Sequence, residues 1–228
     1  MNRILVACLL TMLTVPVFAM GEDDPLLFSL NVEELEWRED EDLVWDIKAW
    51  AGKDRDKLLF KSEGERPDST TEEFETQLLW DRAVTPYWNL QTGWRGDWQP
   101  ESRRSWFALG VAGNAPGFIE TELTAFLADG RSSVRLKAKY KMLLTQKIAL
   151  IPKLETNWYS DSDEVNERGD GFTDLELTLR LGYKINPQLM PYVGVSYTAL
   201  FGDTGDFAEE EGERDRSLQV LAGLSFWF

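Results

Sequence analysis

Histidine is missing from all 228 residues, and there is a single cysteine, Cys8. Without imidazole the chain has no Ser-His nucleophile, no imidazole metal ligand and no general base of the usual neutral-pH kind. Cys8 sits inside an apolar amino-terminal stretch, so a chain trimmed of that stretch has no thiol, which excludes disulfides, thiolate metal sites and a cysteine nucleophile. Beyond that stretch only Met20, Met142 and Met190 remain, too scattered for a thioether site. Basic residues are also short: 24 Lys and Arg stand against 40 Asp and Glu, a formal charge of -16. That balance argues against nucleic acid as a partner. It suits either a cation-attracting surface or lumen or acidic loops that are simply solvated.

What is present begins with an export signal. Asn2-Arg3 supplies the positive charge, Ile4 to Val17 the apolar core, and Val17-Phe18-Ala19 a small-residue cleavage pattern, so residues 1–19 are expected to be removed. Leu5-Val6-Ala7-Cys8 resembles a lipoprotein box but precedes the apolar core instead of following it. Residues 20–27 form a short acidic leader, and nothing later is apolar for long enough to be a transmembrane helix.

The remainder, residues 28–228, reads as one domain with period two. Broken at turn signals it divides into twelve segments: Phe28–Trp37, Leu43–Ala51, Lys57–Glu65, Glu72–Arg82, Trp88–Trp98, Ser105–Ala112, Phe118–Ala128, Ser132–Leu144, Ile148–Trp158, Phe172–Ile185, Pro191–Phe201 and Ser217–Phe228. In the eighth, Val134, Leu136, Ala138, Tyr140 and Met142 alternate with Arg135, Lys137, Lys139 and Lys141. The tenth sets Leu175, Leu177, Leu179, Leu181 and Tyr183 against Asp174, Glu176, Thr178 and Arg180. The last alternates to an aromatic carboxy-terminus. Segments of ten to twelve residues are long enough for a tilted strand to cross the hydrocarbon, and ten Trp, twelve Phe and six Tyr could furnish interfacial girdles.

The connections agree with a transmembrane barrel. Gly52–Arg55, Ala83–Pro86, Asn114–Gly117, Thr145–Lys147 and Asn186–Met190 are short and would face the periplasm. Arg66–Thr71, Tyr159–Gly171 and Gly202–Arg216 are longer and would face outside. Pro152 stands within the ninth segment, where a bulge, an irregular edge or a shifted boundary is expected. The fold class expected is therefore all-β, an antiparallel transmembrane barrel of twelve strands.

On this phase the inward charges are Lys61, Glu63, Glu65, Arg95, Asp97, Glu120, Glu122, Lys137, Lys139, Glu155, Asp174, Glu176 and Arg180. They would either line an ion path or form a closed polar core. Outside the strands, Asp161, Asp163 and Glu164, or Asp203 with Asp206, offer carboxylates without the spacing of a calcium loop.

In order along the chain, Leu35-Glu36-Trp37, Lys61-Ser62-Glu63-Gly64-Glu65, Gly93-Trp94-Arg95-Gly96-Asp97, Phe107-Ala108-Leu109-Gly110, Leu179-Arg180-Leu181-Gly182-Tyr183, Pro191-Tyr192-Val193-Gly194, Phe201-Gly202-Asp203-Thr204 and the Trp227-Phe228 end resemble the copper resistance protein B family. The resemblance covers nearly the whole chain after the signal. It implies a barrel in the outer membrane of a Gram-negative bacterium, surrounded by lipid, that contributes to copper resistance by sequestering or exporting copper. It also implies copper as the bound ion, and a periplasmic copper-binding protein or oxidase as a partner. The methionine- and histidine-rich leader of many members is not matched, since the leader here has one methionine and no histidine. With copper in view, Glu63, Glu65, Asp97, Glu120, Glu155 and Glu176 are the candidate lumenal metal ligands, and Arg95 and Arg180 the candidate braces. A monomer without catalytic residues is expected. The competing readings are a general porin-like or structural barrel without metal preference, and a barrel hydrolase, which the lack of histidine disfavours.

Overall fold

A computed structural model describes residues 25–39, 43–66, 73–98, 103–163, 168–211 and 214–228. The expected export signal (residues 1–19), most of the expected leader (residues 20–27), Glu164 and nearly all of the connection after residue 66 lie outside the described residues. Within them the chain forms twelve strands: β1 Leu27–Arg38, β2 Leu43–Gly52, β3 Asp56–Arg66, β4 Glu73–Ala83, β5 Trp88–Trp98, β6 Arg103–Ala115, β7 Ile119–Ala128, β8 Arg131–Lys139 resumed at Met142–Leu143, β9 Ile148–Tyr159, β10 Gly171–Tyr183, β11 Leu189–Leu200 and β12 Arg216–Trp227. Among the described residues a helix, α1, spans Asp203–Glu211 in the connection before β12.

Each strand pairs antiparallel with its sequence neighbours, and β12 returns to β1, with Asn31 opposite Trp227 and Trp37 opposite Ala222. The aromatic terminus completes this seam. Phe228 N–H donates to Leu30 C=O at 2.8 Å, and Leu30 N–H donates to Phe228 C=O at 3.0 Å. Closure leaves no sheet edge, the condition for strands to stand in hydrocarbon.

The two faces are inverted relative to a water-soluble domain. Leu58, Phe60, Leu78, Trp80, Phe107, Leu109, Leu177, Leu179, Leu181, Val193 and Val220 are exposed on the outside, whereas Lys61, Arg95, Glu36 and Arg180 are buried within. So large an apolar surface is stable only against lipid. A smaller apolar cluster of Leu59, Leu79, Trp106, Ala108, Phe126 and Tyr159 fills one side of the interior.

Pro152 needs neither a bulge nor a shifted boundary. It pairs with Leu179 on β10, and on the β8 side Lys153 opposite Lys139 and Leu150 opposite Met142 share one register. The ladder merely lapses between them, because Tyr140 N–H reaches Pro152 C=O at 3.1 Å while proline has no N–H to return.

Connections at the end carrying Leu27 and Phe228 are short turns, as a periplasmic end requires. At the other end the β7–β8 connection is a tight turn whose residues are all described. Asp129 and Gly130 there both take positive φ, 32° and 83°, the geometry of a two-residue hairpin. The described parts of the two longest connections contact the strand ends here and each other. Asp163 is held by Arg104 and by Arg131 at 2.9 Å, and Gly169 N–H donates to Thr204 Oγ1 on α1 at 2.8 Å.

The cost of a charge on the outer surface should follow membrane depth. Leu179→Arg, mid-strand, is expected to lower folding stability in lipid vesicles by about 2–4 kcal/mol, and Leu58→Arg, near the periplasmic rim, by about 0–1 kcal/mol. Denaturant titration of the refolded variants measures both, and equal costs would contradict this placement in the bilayer.

Candidate functional site

The lumen is organised by register. Successive antiparallel pairs place Glu34 opposite Asp46, Asp46 opposite Glu63, Glu63 opposite Glu75, and Glu75 opposite Asp97. Five carboxylates therefore stand abreast on β1 to β5, one per strand. Opposed residues have Cβ atoms about 5 Å apart. At an effective dielectric of about 20, unit charges at that separation repel by about 3 kcal/mol. Such a row is stable only if cations face it.

Those cations come mainly from the far wall. Glu34 contacts Lys153 at 2.9 Å and Arg180 at 2.8 Å. Glu63 pairs with Lys137 and lies 3.6 Å from Arg135. Glu75 is gripped by Arg135 and Arg95, each at 2.9 Å. Asp97 accepts from Arg95 at 2.7 Å and from the Trp106 indole at 2.8 Å. Off the row, Glu33 meets Lys139 at 2.8 Å and Glu36 meets Arg180 at 2.5 Å. Strands β8 to β10 thus present Arg135, Lys137, Lys139, Lys153 and Arg180 to the acids of β1 to β4. The two walls are zipped across the lumen by partners 60 to 146 residues apart in sequence.

A bulge in β1 creates part of this arrangement. Val32 pairs with Ile47 and Glu34 with Asp46, so Glu33 is an extra residue. Both Glu33 and Glu34 then turn inward, and Glu36 follows in the new phase. A strict period of two assigns the two neighbours to opposite faces. For that reason Glu34 and Glu36 escaped the sequence-based set. Asp46, Glu75 and Lys153 were also missed. Their signal was ordinary alternation: Asp46 between Trp45 and Ile47, Glu75 two residues before Gln77 with Phe74 and Leu78 facing away.

The six candidate ligands do not converge. Glu63 and Asp97 belong to the acidic row. Glu155 lies on the opposite wall between Lys137 at 3.4 Å, Lys153 at 3.5 Å and Arg135 at 3.6 Å. Glu176 accepts from Arg38 at 2.8 Å and Ser196 at 2.9 Å. Glu120 is half-exposed near the periplasmic mouth, 3.0 Å from Lys139, and Glu65 is exposed at the outer end of β3. Of the two candidate braces, Arg95 bridges Glu75 to Asp97, and Arg180 bridges Glu34 to Glu36. Among the described residues no three His, Cys, Asp or Glu side chains are grouped to hold a metal ion. Asp163, a carboxylate of the outer loop, is taken up by Arg104 and Arg131.

The interior space is divided. A cavity of about 360 Å³ opens among Lys48, Lys61, Asp81, Tyr87, Glu122 and Lys139 towards the periplasmic turns. A second, of about 260 Å³, lies among Arg38, Glu65, Glu75, Arg95, Asp97 and Arg168 towards the outer loops. Glu34, Asp46 and Lys153 line both and so mark the waist between them.

Similarity to known proteins covers the same residues. A family model described as copper resistance protein B precursor (CopB) matches residues 26–228. The chain is 42% identical over 210 residues to the copper resistance protein B of Escherichia coli, covering 90% of this chain and 71% of that protein. It is 40% identical over 200 residues to a copper resistance protein B homolog of Pseudomonas syringae pv. tomato, 86% of this chain and 68% of that protein. Among solved structures, the KdgM porin superposes with a TM-score of 0.54 at 11% identity, and the NanC porin with 0.58 at 9%. Each covers 88% of this chain and 99% of the porin. At that identity the likeness is one of fold.

Removing one member of the zipper should be costly. Arg180→Met leaves Glu36 with only the Tyr192 hydroxyl at 3.1 Å and the more distant Arg38 at 3.6 Å, and removes half of Glu34's pairing, an expected loss of about 3–5 kcal/mol. Adding Glu36→Gln should restore part of it, as measured by equilibrium unfolding in detergent or lipid. A neutral Arg180→Met would show that the two walls are not coupled.

Proposed function

The chain belongs to the copper resistance protein B family, an outer-membrane barrel acting in copper resistance, and from that premise we propose that its lumen is a conduit in which copper cations are passed along a carboxylate row. The observation that carries this reading is the alignment of Glu34, Asp46, Glu63, Glu75 and Asp97 across five neighbouring strands. A purely structural polar interior would be served as well by pairs of opposite charge on adjacent strands. Here like charges are brought side by side, which leaves a wall able to attract cations once facing Lys or Arg side chains swing away.

The carboxylates are hard donors, and the chain has no histidine and no clustered methionine, so the cupric ion with part of its water is the form the lumen suits. Glu63 and Asp97 act within the row. Glu65 and Glu120 draw ions at the two mouths, and Glu155 and Glu176 compete for the cations of the far wall. Arg95 and Arg180 limit the opening by keeping their carboxylate pairs together. No stable coordination shell is required, because an ion in transit must leave as readily as it enters. A periplasmic copper-binding protein or oxidase supplies the ion in this scheme.

Two measurements test it. A strain lacking the gene is expected to lose copper tolerance and to regain it with the wild-type chain but only partly with Glu63→Gln combined with Glu75→Gln. Vesicles containing the purified barrel should admit copper(II) faster than empty vesicles. Unchanged tolerance on deletion would remove the copper role, and copper-tight vesicles would remove the conduit.

A further inference from the structure

The five carboxylates of the row are not equally served. Glu34, Glu63, Glu75 and Asp97 each have a Lys or Arg nitrogen within 3 Å. Asp46 has only Lys48, at 3.9 Å from Oδ2, and that ammonium lies closer to Glu33, at 3.3 Å. Its side chain is 7% exposed, and its Oδ1 is buried without a hydrogen-bond partner among the described residues. It is also flanked by like charge on both sides, with Glu34 opposite it on β1 and Glu63 on β3. A buried, unpartnered carboxylate oxygen between two other carboxylates is costly unless something positive visits it.

Position makes this orphan oxygen meaningful. Asp46 lines both the periplasmic and the outer cavity, so it stands at the boundary between them. We infer that Asp46 is the cation waypoint at the waist of the barrel, taking a partly hydrated divalent or monovalent cation at Oδ1 as it crosses from one cavity to the other. One carboxylate oxygen without further ligands gives weak binding, in keeping with the lack of a three-ligand cluster among the described residues. Weak binding is what a transit site needs. The neighbours contribute by being occupied: Glu34 and Glu63 stay with Lys153 and Lys137, leaving Asp46 as the member of the row without a close cation.

This inference rests on the conduit reading, and two readouts keep their failures apart. The first uses the purified full-length barrel in phosphatidylcholine vesicles, under a potassium chloride gradient and then with copper(II) chloride outside. Asp46→Asn is expected to lower the cation-to-anion permeability ratio and the copper(II) influx several-fold, and Asp46→Glu to restore both. The second needs no transport. Copper(II) or magnesium chloride should raise the resistance of the wild-type barrel to denaturant in a concentration-dependent way. That response should be lost in Asp46→Asn, which itself folds at least as stably as wild type because it removes an unpaired charge.

A wild-type barrel that does not conduct, yet shows Asp46-dependent stabilisation by cations, would overturn the conduit and keep the site. A conducting barrel whose selectivity and cation response are unchanged in Asp46→Asn would keep the conduit and overturn the site. Loss of both responses only in variants that fail to show the heat-dependent mobility shift of a folded barrel would also count against it, since the asparagine variant is expected to fold.

Discussion

Carboxylates held abreast on adjacent strands repel one another, and the interior of this barrel is arranged around that repulsion. Hydrogen-bond register brings Glu34, Asp46, Glu63, Glu75 and Asp97 together, and register cannot be relaxed without turning apolar side chains away from lipid. The response is a second wall of opposite sign. Arg135, Lys137 and Lys139 on β8, Lys153 on β9 and Arg180 on β10 reach across to the acids. Apart from Asp46, the charges of the row are taken from water and given a close partner, so their net contribution to stability is modest, whereas losing a single partner is severe. The arrangement therefore specifies one alignment of the walls more than it adds to their stability. The waist between the two cavities is made of members of these walls, Glu34 and Asp46 from the acidic one and Lys153 from the basic one.

The fold was readable because lipid on one side and charge on the other enforce alternation over whole strands. All twelve expected segments are present, with ends displaced by about three residues at most; β6 is the most extended, reaching Arg103–Ala115. The short and long connections fell on the expected ends. Two features needed coordinates. Pro152 turned out to be tolerated at a position where one ladder bond simply goes unmade, since its carbonyl still accepts from Tyr140. The acidic stretch before β12 contains α1, whose short amphipathic signal was hidden among charged residues.

The site was legible in part. Alternation identified the inward charges at Glu63, Asp97, Lys137 and Arg180, while Asp46, Glu75 and Lys153 carried the same signal and were passed over. It failed at Glu34 and Glu36 because the β1 bulge adds a residue that no period-two pattern anticipates. Alternation also says which face a side chain occupies, but not which residues on different strands share a level. The row of five depends on four strand-to-strand offsets, and those emerge only from pairing. The candidate metal ligands accordingly divide between the row, the opposite wall and the two mouths, where no one-dimensional reading could have separated them.

Coupling across the lumen tests the account most directly. A double-mutant cycle on Glu75 and Arg135, which meet at 2.9 Å from opposite walls, isolates their interaction from the cost of each truncation. Two-walled charge pairing predicts a favourable coupling of about 1 kcal/mol or more for Glu75→Gln with Arg135→Met, read from denaturant unfolding in lipid. Additive effects of the two substitutions would mean that the walls do not hold each other, and the acidic row would need another explanation.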